Sequence, residues 1–216
     1  MSTKNSQMKK PSIVLTKTTP YMVHDLGNFS NSKREKLTTN PVMALCRCGE
    51  SQNKPCCDGS HVKKGIDSEK KKGRMRDKVR DYVGKDITIH DNRGVCSHDG
   101  GCVDSLPSVF EKGRWPWINP DAAGVEEIMA AIKKCPSGAL SYTIGEETRT
   151  SIDREPAIKV AQNGPLEITG GIIFEDDMGS KPQSAEHYTL CRCGESKNKP
   201  FCDGSHNEID FTDDKN

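Results

Sequence analysis

A run of seven residues, Leu45-Cys-Arg-Cys-Gly-Glu-Ser, returns unchanged as Leu190-Cys-Arg-Cys-Gly-Glu-Ser, 145 positions downstream. Asn53-Lys-Pro returns as Asn198-Lys-Pro, and Cys57-Asp-Gly-Ser-His61 as Cys202-Asp-Gly-Ser-His206, at the same offset. The register also aligns Pro11 with Pro156, Ile13 with Ile158, Pro20 with Pro165 and Phe29 with Phe174. An ungapped match over about fifty residues is a duplicated unit. Each copy is too small to stand alone, so the two halves are expected to pair with each other as a pseudo-twofold.

The composition supports this. Only 32% of the residues are hydrophobic and 29% are charged, which argues against one large core. Small, thin-cored domains need staples such as metals, disulfides or oligomerisation. Ten cysteines supply them, grouped behind Cys-x-Cys and Cys-x5-Cys openings. The opening stretch Met1–Ser12 is polar and lacks the apolar centre of a signal peptide. No apolar run approaches the roughly 20 residues that span a bilayer. The expectation is therefore a soluble, cytoplasmic protein whose clustered thiols are ligands rather than disulfides. A net charge of +1 gives no ground for nucleic-acid or membrane binding.

The pattern predicts an α+β, strand- and loop-rich chain. Residues 1–66 and 150–216 form the two repeat units, 67–80 a charged linker, and 81–149 an inserted module. In the second unit Ile158-Lys-Val-Ala and Leu166-Glu-Ile-Thr alternate apolar and polar around Asn163-Gly-Pro, reading as a β-hairpin. Ile13-Val-Leu-Thr and Tyr21-Met-Val-His are a weaker first copy, and Gly171–Phe174 is a further short strand. From Val62 to Arg80 nine Lys/Arg face three Asp/Glu, which reads as a solvated connector, with a patch for an acidic redox partner as the other reading. The inserted module predicts a strand near Asp86–His90, a helix over 122–134 with Asp121 as N-cap, and a strand over Ala139–Ile144. Val125, Ile128 and Ile132 mark the helix's apolar face, and Cys135-Pro136 ends it.

Both repeats carry Cys-x-Cys-x8-Cys-x3-His. If Asp-Gly-Ser-His opens a helix, the last cysteine and the histidine share one face and reach one centre, with Asp58 and Asp203 suited to the helix start. Three thiolates and an imidazole suit either zinc or an iron–sulfur cluster. Cys-x-Cys is cramped for one tetrahedral ion, whereas a two-iron cluster takes that pair on one iron and the Cys/His pair on the other.

The string Cys-x-Cys-Gly-x-Ser-x3-Pro-x-Cys-Asp-Gly-Ser-His resembles the CDGSH (NEET) iron–sulfur proteins at every signature position, in both copies. It is similar to those members that carry two motifs in one chain. That resemblance implies two [2Fe–2S] clusters, held by Cys46, Cys48, Cys57 and His61 and by Cys191, Cys193, Cys202 and His206. Cys56, where the second copy has Phe201, reads as a small apolar filler, with an alternative ligand or redox thiol as the other reading. Replacing one thiolate by neutral imidazole raises the reduction potential, and its protonation removes a ligand.

In the insert, Cys96-Ser-His-Asp-Gly-Gly-Cys102 and the remote Cys135-Pro136 follow the bacterial-ferredoxin plan with Asp99 where the central cysteine would stand. Three thiolates could hold a [3Fe–4S] cluster, or a [4Fe–4S] cluster with Asp99 or His98 at the fourth position. Val95–Tyr142, with Trp115-Pro-Trp-Ile and Cys135-Pro-Ser-Gly-Ala-Leu, resembles the divergent single-cluster ferredoxin-like family, which supports the cluster without fixing its fourth ligand. Trp115 and Trp117 read as core or cluster shielding. His24, His90 and His187 read as ordinary.

With no recognisable substrate pocket, nucleotide loop or catalytic dyad, the expectation is an electron carrier rather than an enzyme. Cluster storage, transfer or redox sensing is the competing reading. The expected partners are redox proteins or apo-acceptor proteins, met by a monomer whose two CDGSH units pair internally.

Overall fold

The computed structural model describes residues 9–150 and 152–213; the polar opening up to Met8 lies outside them. The first repeat contributes β1 (Ser12–Leu15), β2 (Tyr21–His24), β3 (Asn28–Ser30), β4 (Val42–Leu45) and α1 (Ser60–Lys64). The insert contributes β5 (Val79–Val83), β6 (Thr88–Asn92), α2 (Gly101–Ser105), α3 (Val125–Ile132), β7 (Leu140–Ile144) and β8 (Glu147–Arg149). The second repeat gives β9 (Ala157–Val160), β10 (Leu166–Thr169), β11 (Ile173–Asp176), β12 (Tyr188–Leu190) and α4 (Ser205–Glu208). The chain is α+β and rich in strands.

The two repeats exchange a strand. One four-stranded sheet runs β11-β1-β2-β4 and the other β12-β10-β9-β3, so each sheet holds three strands of one repeat and the third strand of the other. The exchanged strands pair in parallel, Ser12 with Ile173 through Leu15 with Asp176, and Asn28 with Ala157 through Ser30 with Lys159. Moving either register by the repeat offset reproduces the other, so the pseudo-twofold extends to individual residue pairs. Side chains alternate across the strands. One face of both sheets therefore feeds a single core holding Ile13, Val23, Phe29 and Leu45 from one half and Ile158, Ile168, Tyr188 and Leu190 from the other.

The pseudo-twofold brings the two Cys-x-Cys loops into backbone contact. Gly49 and Gly194 sit at φ 81° and 83°, conformations that L side chains rarely adopt. A Cβ on Gly49 would collide with the Cys193 carbonyl oxygen, and a Cβ on Gly194 with that of Cys48. Glycine is required there for both its φ and the close approach.

The insert is a separate antiparallel sheet, β5-β6-β7-β8, with its own core around Ile89, Phe110, Ile128 and Leu140. Three details differ from the sequence expectation. The strand placed near Asp86–His90 is β6 and begins two residues later. It is preceded by β5, whose exposed, charged residues made it look like linker; β5 is held by its ladder to β6. The helix is confined to Val125–Ile132, because Asp121 Oδ1 accepts from the Lys85 amide at 2.8 Å rather than capping it. Gly124 is the cap, and its amide donates to Glu127 Oε2 at 3.0 Å.

Gly49→Ala and Gly194→Ala should each lower stability by at least about 2 kcal/mol, combining left-handed strain with collision. For a chain of this size that is a fall of roughly 4–8 °C in melting temperature by calorimetry. Gly59→Ala, also at positive φ but with nothing within 4 Å, should cost only the strain, about 1 kcal/mol. Equal losses at all three positions would show that the loop crossing constrains nothing.

Candidate metal centres

Each repeat builds its site from a strand end and a turn. β4 leads into Cys46 and Cys48, β12 into Cys191 and Cys193, and the isolated bridges Leu45–Cys56 and Leu190–Phe201 return the chain beside them. The arginine between each pair of cysteines ties its loop to the neighbouring hairpin turn. Arg47 Nη2 donates to the Thr16 and Lys17 carbonyls at 2.8 and 2.9 Å. Arg192 Nε donates to Gly164 O at 2.8 Å, and Nη2 to Ala161 O at 3.0 Å. Arg192 is buried and also paired with Asp213. These arginines were not singled out from the sequence, although their recurrence inside both Cys-x-Cys pairs was a signal for them.

The Asp-Gly-Ser-His turn has a different construction from the one expected. Helices α1 and α4 begin only at the serine, so Cys57 and Cys202 precede them, and the N-cap position belongs to Gly59 and Gly204, both left-handed. The aspartates brace the turn instead. Asp58 accepts from the Ser60 and Gln52 amides at 3.0 and 2.8 Å, and Asp203 from Ser205 and Lys197 at 3.1 and 2.8 Å. These bonds hold the carboxylates below the usual range despite the opposing effect of burial at Asp203.

The donors converge as two pairs in each site. Cys46 Sγ and Cys48 Sγ are 3.8 Å apart, and Cys57 Sγ stands 3.1 Å from His61 Nδ1. In the second site the corresponding distances are 3.7 and 3.4 Å, again through Nδ1 of His206. Among the described residues, no three His, Cys, Asp or Glu side chains gather as tightly as one metal ion requires. Paired donors match a two-iron unit with one pair per iron better than a tetrahedral zinc ion. All ten cysteines are free thiols. Cys56 is half-buried against the shared core, where Phe201 is its counterpart.

In the insert, Cys96 precedes α2, Cys102 lies in its first turn, and Cys135 follows α3. Burial pushes Cys96 and Cys102 up to about 11; nearby Cys135 raises both, and Arg93 opposes the shift at Cys96. Arg93 Nη1 donates to Cys96 Sγ at 3.4 Å. A buried Cys135 and two half-buried thiols held in their neutral form fit a cationic iron–sulfur unit, because bound metal is what would stabilise their anions. Asp99 repeats the flanking device: Oδ1 accepts from Gly101 N at 3.2 Å, left-handed Gly100 follows, and a short helix starts. Trp117 is half-buried, its ring centroid 5.8 Å from that of Phe110. Trp115 is 69% exposed and shields nothing.

The two repeat sites have unlike surroundings. Asn198 Nδ2 donates to Gly94 O at 2.7 Å, and Tyr21 Oη to the Cys191 and Pro200 carbonyls at 2.8 and 3.1 Å. A Cβ on Gly204 would stand 2.9 Å from His98 Cγ. Cys202 is pushed well up by burial, then by Cys191, with Cys96 of the insert adding to it. His206 is 9% exposed and is held down by burial, whereas Cys57 and His61 are only half-buried.

Comparison with known proteins agrees with this construction. The family model described as iron-binding zinc finger, CDGSH type, matches residues 18–62 and 163–207, and that of a divergent 4Fe–4S mono-cluster matches 82–145. The proteins named Uncharacterized protein YjdI in Escherichia coli K12 and O157:H7 are each 41% identical over 63 residues, covering 29% of this chain and 83% of theirs. No solved structure matches.

If Asp99 only braces this turn, Asp99→Asn should keep the insert's iron and sulfide content unchanged, since the asparagine amide oxygen can accept the same bond from Gly101 N. Asp99→Ala should cost about 0.5–2 kcal/mol in denaturant unfolding. Loss of iron in Asp99→Asn would make its carboxylate a ligand.

Proposed function

The chain carries two CDGSH-type iron-binding domains around a divergent 4Fe–4S mono-cluster domain, and from that premise we propose that it is a cytoplasmic one-electron carrier with three iron–sulfur centres. In this reading Cys46, Cys48, Cys57 and His61 hold one [2Fe–2S] cluster, and Cys191, Cys193, Cys202 and His206 the other. Cys96, Cys102 and Cys135 hold a [3Fe–4S] or [4Fe–4S] cluster, with Asp99 or His98 beside its fourth corner. Such clusters, when bound, supply one-electron redox chemistry. The protein's part is to hold and shield them: thiolates and imidazoles from strand ends and turns, arginines that fix the loops, and a fold that keeps water from the second site.

The observation that carries the carrier reading is the packing of the insert's cysteine loop on the second CDGSH turn, through His98 on Gly204 and Cys96 beside Cys202. Two centres of different type, brought near each other by the His98 ring packing on the Gly204 backbone, suit a relay. Its partners are redox proteins, met by a monomer whose two CDGSH units already pair internally. Cluster transfer to apo-acceptor proteins is the second reading, and one observation favours it: the first site, with half-buried Cys57 and His61, is open where the second is closed.

Anaerobic purification with iron and sulfide analysis, followed by EPR with and without dithionite, tests the proposal. A reduced [2Fe–2S] signal is expected, and its absence would overturn the reading. With a chelator or an apo-ferredoxin, cluster loss should be biphasic, the first site at least about tenfold faster than the second. Cys57→Ala should abolish the fast phase and Cys202→Ala should leave it. Fast transfer from the intact protein would favour the donor role; retained clusters with rapid electron exchange would favour the carrier.

A further inference from the structure

The basic segment expected as a solvated connector is instead one wall of a cavity of about 940 Å³. The opposite wall is the loop carrying Trp115 and Trp117, and the floor is the insert's cysteine loop with Cys96 and Cys102. Gly73, Met75 and Trp115 also line it, so the space extends beyond the cysteine loop. Six cationic side chains, Arg74, Arg76, Lys78, Arg80, Arg93 and Lys112, line it against two carboxylates, Asp91 and Asp104.

Little of that charge is cancelled locally. Arg74 pairs with Asp77 at 3.0 Å, and Asp91 is buried and accepts from Trp117 Nε1 at 3.1 Å. Among the described residues, Arg76, Lys78 and Lys112 make no ion pair. Arginines and lysines clustered in excess over carboxylates are the donor set that phosphate groups require.

The second property of the cavity is flatness. Arg80 lies 5.1 Å from the centroid of the Trp115 ring and Arg93 4.7 Å from that of Trp117. Each pair presents a stacking surface, and Trp115 keeps 69% of its surface exposed. The chain has only two tryptophans, and both are here. A large aromatic left open in a chain so poor in them is informative, where a single exposed leucine would not be.

We propose that this cavity is a binding site for a planar heteroaromatic molecule carrying phosphate, a ligand of the nucleotide class. Its ring would stack against the Arg80–Trp115 and Arg93–Trp117 pairs, and its phosphate would be held by Arg76, Lys78 and Lys112. The volume lies in the range of small-molecule sites, about 300–1,000 Å³. An acidic protein segment would use the cations but leave the stacked indoles unemployed, so the small ligand is favoured. The inference needs no particular cluster count or type, although a cluster on Cys96 and Cys102 would take up part of this volume.

The test titrates the purified, iron-loaded protein with AMP by calorimetry, assaying iron and sulfide in the same samples. Adenosine supplies the ring alone, inorganic phosphate the charge alone, and polyglutamate a ring-free polyanion. AMP should bind one to one and at least about tenfold more tightly than either half-ligand. Trp115→Ala and Lys78→Glu, both at exposed positions, should each weaken it about tenfold with iron content unchanged. Because both tryptophans line the cavity, their fluorescence reports binding there. No AMP uptake at millimolar concentration, or adenosine binding as tightly as AMP, overturns the proposal. So does polyglutamate binding that Trp115→Ala leaves unaltered, which would make the surface an acidic-protein face. AMP binding with iron missing from the sites would count against the cluster reading alone.

Discussion

The exchange of β3 and β11 between the repeats is the constraint on which the rest depends. Each sheet is completed only by a strand from the other half, so neither repeat has a finished sheet or a closed core alone. Parallel pairing cannot be made by a tight turn; it needs a long connection, which the second copy supplies. The same exchange fixes the pseudo-twofold that brings Gly49 against Cys193 and Gly194 against Cys48. Both sites thereby share one rigid backbone crossing. Since loop-closure entropy grows slowly, by about 0.6 kcal/mol per doubling of length, the connection between halves can carry a whole folded module at small cost.

That module is what breaks the symmetry. Identical motifs begin with identical turns, the same left-handed glycine and the same bracing aspartate. Their surroundings then diverge. His98, Gly94 and Cys96 of the insert crowd the second turn, while the tail returns Asp213 to Arg192. Among the described residues, Arg47 has the hairpin carbonyls but no buried carboxylate ion pair of that kind. Duplication supplies two equal binding constellations, and the insert gives them unequal access to solvent.

Much of this was legible in the sequence because ligand spacing and repeat register are local, one-dimensional facts. The paired donors, the duplicated hairpins and the α+β insert all follow from them. The strand exchange was not legible: alternation in Ile158-Lys-Val-Ala marks a strand but says nothing about which distant strand lies beside it. β5 was missed because its charged residues are exposed and its place comes from backbone pairing to β6. Asp121 resembled a helix cap because caps are read from residue type, and a competing amide at Lys85 decided otherwise. The cavity wall escaped notice for a related reason. A run of Lys and Arg looks the same whether it faces open solvent or folds back over two tryptophans.

A chain with 32% hydrophobic residues cannot rest on apolar burial alone. Yet it buries Cys191, Cys193 and Cys202 almost completely and raises Cys96 and Cys102 to about 11. Left as thiols, these groups are modest hydrophobes at strand ends and turns that have few other contacts. Ionised, they demand compensating positive charge; Arg93, Arg47 and Arg192 stand near them, and a bound iron–sulfur unit would add its own. Where such thiolates bind metal, ligation and folding become one equilibrium. The strand exchange sets where the donors stand, and the shared core and the crossing of Gly49 and Gly194 over the two Cys-x-Cys loops hold the exchanged halves together.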